Sequence, residues 1–165
     1  MLTYALGSTL IIPMKDYQFK TKEFKILSIR ESCVDNPLLD TPDRVVDFWK
    51  KEVFKSLRYD KEKETLIVFL LNTRRRITGF EIISNGTLDT LLVHPREVFR
   101  VACIANAAAI IVGHNHPSGD PNPSMEDIEI TKRLVAGGEI LGIKILDHVI
   151  IGENNYVSFA DKGLL

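Results

Sequence analysis

The chain is poor in the features that would assign it quickly. It has two cysteines in 165 residues, Cys33 and Cys103, far apart and in no CxxC pair. That argues against a disulfide framework and against a zinc site built from thiolates. Neither charge dominates: the formal net charge is -1, which leaves no global electrostatic case for nucleic acid or an anionic membrane. Arg74-Arg75-Arg76 is the single compact basic cluster, and it reads as a solvated turn between two strands. No apolar run approaches the length of a membrane span. The opening residues 1–13 lack both a basic start and a long apolar stretch, so no secretion signal is expected. A reducing, cytoplasmic setting follows. Internal repeats and low-complexity segments are also missing.

What is present is ordinary globular material. Apolar residues make up 45% and charged residues 26%. That suffices for a core without a structural metal, so any metal here should serve function and not folding. Residues 1–35 read as an extension with two strand-like pieces, 9–12 and 24–29, and residues 36–165 as the one domain. Thr41-Pro42-Asp43 is a helix start, with a capping hydroxyl, proline at the first helical position and an acid at the positive end. Val45, Trp49, Val53 and Leu57 recur at helical spacing and should face a core. Residues 65–71 are almost wholly apolar and predict a buried central strand, with 72–76 a hairpin connection and 77–84 the returning strand, ended by Asn85-Gly86.

A second helix opens at Pro95, with Val98, Phe99, Val101, Ala102 and Ala105 on its apolar side and Cys103 as a small core residue. Residues 108–112 form another buried strand, ending at Gly113. Ser124 begins a third helix that runs to Gly137-Gly138 or to Gly142. Two strands, 143–146 and 149–151, and a turn at 153–155 complete the chain. Strands alternate with helices but hairpins occur too, which predicts an α/β domain with a mixed sheet covered by helices.

The chemistry concentrates in residues 113–127. His114 and His116 sit two apart in extended chain just past a buried strand, so alternation puts both imidazoles on one side. Three prolines, Pro117, Pro121 and Pro123, stiffen the loop that follows. Asp127 then lies in the first turn of a helix, where the dipole favours its ionised form. Two imidazoles and a carboxylate are zinc ligands, and three of them leave a fourth position open, as in catalytic sites. A plain helix cap also accounts for Ser124 and Asp127. It does not account for the two histidines. The whole pattern His-x-His-x(7)-Ser-x-x-Asp would arise by chance in on the order of one in several thousand chains of this length.

That pattern is the motif of the JAMM metallopeptidases of the MPN class. Residues 93–97 (Val-His-Pro-Arg-Glu), 107–120 and 146–148 (Leu-Asp-His), with 156–159 (Tyr-Val-Ser-Phe), further resemble the bacterial RadC family over roughly residues 36–165. The resemblance implies a three-layer α/β/α MPN fold related to the deaminases, and zinc held by His114, His116 and Asp127. It also requires an upstream glutamate at the start of a strand. Glu64 fits best, Glu62 is the fallback, and Glu81 and Glu97 are weaker candidates. The implied activity is hydrolysis of a peptide or isopeptide bond by a zinc-activated water. Glu64 would be the general acid/base and Ser124 the donor to the oxyanion. The implied partner is a peptide or protein substrate. Members of this family usually carry a helix-hairpin-helix segment ahead of the domain, whereas the stretch preceding it here is short and different, which leaves direct DNA binding, and the family's link to DNA repair, without support from the residues.

Three rival readings differ in what they require. A metal-dependent nuclease is suggested by the letters His114-Asn115-His116, but HNH nucleases disperse those residues over a ββα unit. A nucleobase deaminase needs His-x-Glu with Pro-Cys-x-x-Cys, which neither cysteine supplies. A non-enzymatic MPN scaffold would be expected to have lost a ligand, and this chain keeps the set. His94 and His148 lie outside the motif: His94 is placed to pack or cap near Pro95, and His148 in a strand, with a supporting role near the site open to it.

Overall fold

The computed structural model describes residues 36–86 and 93–165. The extension at residues 1–35, with its two strand-like pieces and Cys33, lies outside them. Among the described residues the order is α1 (Pro42–Glu52), β1 (Glu64–Leu71), β2 (Ile77–Gly86), α2 (Pro95–Ile104), β3 (Ala109–Asn115), α3 (Met125–Leu141), β4 (Lys144–Ile151), β5 (Tyr156–Ser158) and α4 (Phe159–Lys162). The five strands form one sheet in the order β2-β1-β3-β4-β5. β3 and β4 run parallel, with α3 as their crossover, and the other pairs are antiparallel. The sheet is therefore mixed, as the hairpins among alternating elements imply.

Both faces of the sheet are covered, which is why β1 is apolar without alternation. Ile67, Phe69 and Leu71 point to one face and pack with Val45, Phe48 and Trp49 of α1. Leu66, Val68 and Leu70 point to the other and pack with Val98, Phe99 and Ala102 of α2 and Ile130 and Leu134 of α3. Three layers result: α1, the sheet, then α2 with α3. Gly113 permits the close approach of α1, since a Cβ there would lie 3.1 Å from the Trp49 ring and 3.0 Å from Phe69.

Several local expectations need correcting. Leu57 is fully exposed. The helix gives way to a 3-10 turn at Val53–Lys55 and the chain turns out at Ser56, so the helical spacing no longer applies. Cys103 is exposed, because α2 is a surface helix whose buried stripe is Val98, Phe99 and Ala102. β3 does not stop at Gly113 but carries His114 and Asn115 within the strand. The two strands expected at 143–151 are one, β4, interrupted by a register slip: Ile110 pairs with Ile145 but Ile111 with Asp147. The extra residue breaks the alternation that sequence reading relies on. α3 takes the longer of its two expected lengths, ending at Gly142 with φ 69°. α4 was not anticipated.

Behind the site, Gly152 lets the loop after His116 dock on the end of β4. A Cβ at Gly152 would fall 2.4 Å from the Gly119 carbonyl and 2.9 Å from Pro121. Backbone cannot yield as a flexible side chain can, so Gly152→Ala is expected to cost about 1–3 kcal/mol through overpacking. Chemical denaturation reads this, and an unchanged midpoint would mean the loop is not clamped there.

Candidate metal centre

Strand alternation and register bring the site together. His114 has the parity of Ile110 and Val112, so it projects to the α3 face, and it pairs with Leu66 of β1. Glu64, two residues before Leu66, has the same parity and opens β1 beside the end of β3. α3 supplies Asp127 from its first turn. Glu64, His114, His116 and Asp127 then offer ligand atoms that all lie within 4.8 Å of one another.

Distances inside the group fit a metal. His114 Nε2 lies 3.0 Å from His116 Nε2 and 3.1 Å from Asp127 Oδ1, and His116 Nε2 lies 3.5 Å from Asp127 Oδ2. A tetrahedral zinc with bonds near 2.0–2.1 Å needs donor-to-donor edges of about 3.3–3.4 Å. Three donors at this spacing, set in a largely buried base, are suited to such an ion. Glu64 Oε1 stands a little further off, 3.8 Å from His114 Nε2 and 3.7 Å from His116 Nε2. Its side chain keeps 23% exposure against 5% for Asp127, so it borders the open side of the group.

Each candidate ligand is oriented by a bond on its far side. The His116 ring approaches the Asp120 carbonyl at 2.7 Å through Nδ1. A carbonyl only accepts, so Nδ1 carries the proton and Nε2 is left as a lone pair or second donor facing the group. The loop that holds Asp120 is tied down by the Glu153 amide donating to Gly119. Asp127 completes a capping box: the Ser124 hydroxyl accepts from the Asp127 amide at 3.0 Å, and the Ser124 amide donates to Asp127 Oδ2 at 2.8 Å. The Ser124 hydroxyl also donates to Oδ2 at 2.6 Å. Two donors on Oδ2 turn Oδ1 toward His114. The single proton of Ser124 is thereby engaged with Asp127, and an oxyanion contact would require that hydroxyl to rotate.

The electrostatics follow. Burial pushes the Asp127 carboxyl up, but hydrogen bonds with His114 and His116 together outweigh it and hold the group far below the usual carboxylate range. Hydrogen bonding to Asp127 raises His116, against the opposing effect of burial. His148 is pushed well below the usual imidazole range, first by burial and then by the neighbouring His114, so it is neutral.

Asn115, between the two histidines, is a positioning residue that sequence reading passed over. It points to the opposite face of β3 and bonds backbone on both sides of Glu64: its Oδ1 accepts from the Thr65 amide at 3.0 Å and its Nδ2 donates to the Lys63 carbonyl at 3.0 Å. The side chain thus extends the β1–β3 ladder by one rung past Leu66–His114. Asn115→Ala would leave the buried Thr65 amide unpaired, at about 1–3 kcal/mol. Loss of stability with unchanged metal binding is expected, read by denaturation and elemental analysis. An unchanged denaturation midpoint would mean the Thr65 amide is satisfied by other means.

The remaining candidates fall elsewhere. Glu62 is 77% exposed beside Lys61, Glu81 pairs with Arg58 at 2.8 Å, and Glu97 pairs with Arg96 and Arg100 on α2. His94 occupies the N-cap position of α2 with no side-chain capping bond. His148, by contrast, lies against the site: its Nε2 is 2.8 Å from His114 Nδ1. No helix among the described residues is long and apolar enough to cross a membrane.

Comparison with known proteins places these residues in a family context. Residues 39–164 match the family model described as RadC-like JAB domain. A UPF0758 protein of Desulforamulus reducens is 52% identical over 113 residues, which cover 68% of this chain and 49% of the relative. One from Desulfitobacterium hafniense is 44% identical over 138 residues, 84% of this chain and 59% of the relative. One from Methanosarcina acetivorans is 50% identical over 106 residues, 64% of this chain and 46% of the relative. The chain spans about half the length of the curated relatives it matches.

Proposed function

The chain belongs to the RadC-like JAB-domain family, and from that premise we propose that it is a zinc-dependent hydrolase of amide bonds in peptide or protein substrates. The observation that carries this reading is Glu64: a partly exposed carboxylate placed 3.7–3.8 Å from both imidazole nitrogens of a three-donor group, on its open side. Standing outside the 3.0–3.5 Å edges of that group and partly exposed, Glu64 is read as the base beside an open fourth position and not as a fourth ligand closing the site.

His114, His116 and Asp127 would hold the ion. When bound, zinc supplies Lewis acidity, polarising a carbonyl and acidifying water at neutral pH. Glu64 takes the proton of the attacking water and returns it to the leaving amine, which departs neutral. Asn115 keeps the Glu64 backbone in register with β3 while this happens. Ser124 orients Asp127 and, with its hydroxyl rotated outward, donates to the oxyanion. The Pro-rich loop holds His116 through Asp120 and limits the drift of the ring.

Zinc-loaded protein incubated with a peptide library and with single- and double-stranded DNA tests the reading. Peptide-bond cleavage abolished by EDTA and restored by zinc is expected. DNA cleavage, or no cleavage of any substrate by fully loaded protein, would overturn it in favour of a nuclease or a scaffold.

A further inference from the structure

We propose that His148 and Thr131 act together as positioning residues that fix the tautomer of His114, so that its Nε2 lone pair is committed to the metal. The inference rests on the reading of His114 as a ligand and adds two residues to that site.

The argument is a count of protons along a buried chain of contacts. Thr131 Oγ1 lies 2.6 Å from the backbone carbonyl of Asp127, one helical turn earlier on α3. Two oxygens at that separation need a proton between them, and a carbonyl has none to give, so the hydroxyl donates to it. That uses the only proton Thr131 has. Its oxygen is also 2.6 Å from His148 Nδ1, so there it accepts and His148 Nδ1 carries the hydrogen. His148 is 1% exposed and stacked on the Phe159 ring at 4.7 Å, and its ring nitrogens contact Thr131 and His114 and no carboxylate, an environment that keeps the ring neutral. Its Nε2 is then a lone pair. The contact of that lone pair with His114 Nδ1 at 2.8 Å therefore takes its proton from His114. With its Nδ1 occupied by that proton, His114 can take a metal only through Nε2, the atom that faces His116 and Asp127.

The circuit closes on one residue. Asp127 offers its carboxylate to the site and its carbonyl to the far end of the relay. The helix turn from Asp127 to Thr131 thus couples the carboxylate ligand to the histidine ligand through the sheet. Metal-bound histidines usually donate their second N–H to a carboxylate, a carbonyl or water. Here the acceptor is a neutral imidazole, which fixes the ring without adding negative charge behind it. The placement depends on the register slip in β4, which puts His148 opposite Val112 and on the same face as Ile145.

The test reads the tautomer directly and needs no turnover. In metal-free protein labelled with 15N-histidine, long-range proton–nitrogen spectra of the four histidines should show His114 protonated at Nδ1, and His148 protonated at Nδ1 and bare at Nε2. Zinc affinity is measured in parallel by competition with a chelator. Thr131→Val keeps the volume and removes the acceptor. It should disturb the His114 tautomer and weaken zinc about 10- to 100-fold, the usual effect of losing such a partner, while Thr131→Ser restores both. His148→Phe, which keeps the ring stacked on Phe159, should behave like Thr131→Val. Should His148→Phe fail to fold, the Thr131 pair and the wild-type spectrum still decide. A His114 bare at Nδ1 in the wild type would overturn the proposal, as would Thr131→Val with unchanged tautomer and affinity. An inactive protein with the expected spectra and affinities would sink the hydrolase reading and leave this one standing.

Discussion

Glu64→Gln is expected to lower amide hydrolysis by roughly 100- to 10,000-fold, the range typical for loss of a general base. Zinc content and melting temperature should hardly change. The amide matches the carboxylate in size and keeps the backbone bonds that Asn115 makes at Lys63 and Thr65. It cannot take a proton. The outcome separates two uses of the same geometry. As a fourth ligand, Glu64 would release much of the zinc when changed to glutamine. As the base, it leaves the three-donor triangle at 3.0–3.5 Å intact. Glu62→Gln is the control and should do nothing measurable, since that side chain lies out in solvent beside Lys61. A preparation in which neither change mattered would show that this family's hydrolytic chemistry is the wrong description of the chain.

The second large effect is on the metal. Protein purified without a histidine tag should carry about one zinc per chain, and the double change His114→Ala plus His116→Ala should reduce that to background, because one carboxylate cannot hold the ion alone. Unchanged zinc content by elemental analysis would place the metal elsewhere. His114→Ala also strips the fully buried His148 of its partner and leaves a cavity, so a lowered melting temperature is part of the expectation. His116→Ala is the cleaner single variant, since its side chain is at the edge of the group. Chelation by itself should not unfold the protein. Apolar clusters cover both faces of the sheet, and neither depends on the metal site. Loss of the circular-dichroism signal with EDTA would contradict this.

How much of this was legible in the chain depends on the range of the interaction. The HxH pair needed only strand alternation, and Ser124 with Asp127 needed only helix-capping chemistry. Both are set by backbone geometry over a few residues. The central strand at β1 was legible for a similar reason, because burial on both faces leaves an apolar run. Leu57 failed because a helix end is decided by where the chain must turn, which periodicity does not contain. Cys103 failed because a helix that is apolar in composition still exposes one side.

The sequence by itself determined the family, the three-layer class of fold and the local pattern of candidate ligands, since each is written in contiguous residues whose spacing follows backbone periods. Only the tertiary structure brought Glu64 and not Glu62, Glu81 or Glu97 to the site, since that choice is a matter of β1–β3 register between residues about fifty apart. Only it placed His148 behind His114, through one extra residue in β4 that shifts the parity of everything after it. Register and bulges arise from the fit of whole strands and the layers packed on them. No short window of sequence holds the information for a contact whose two sides are joined only when the sheet closes.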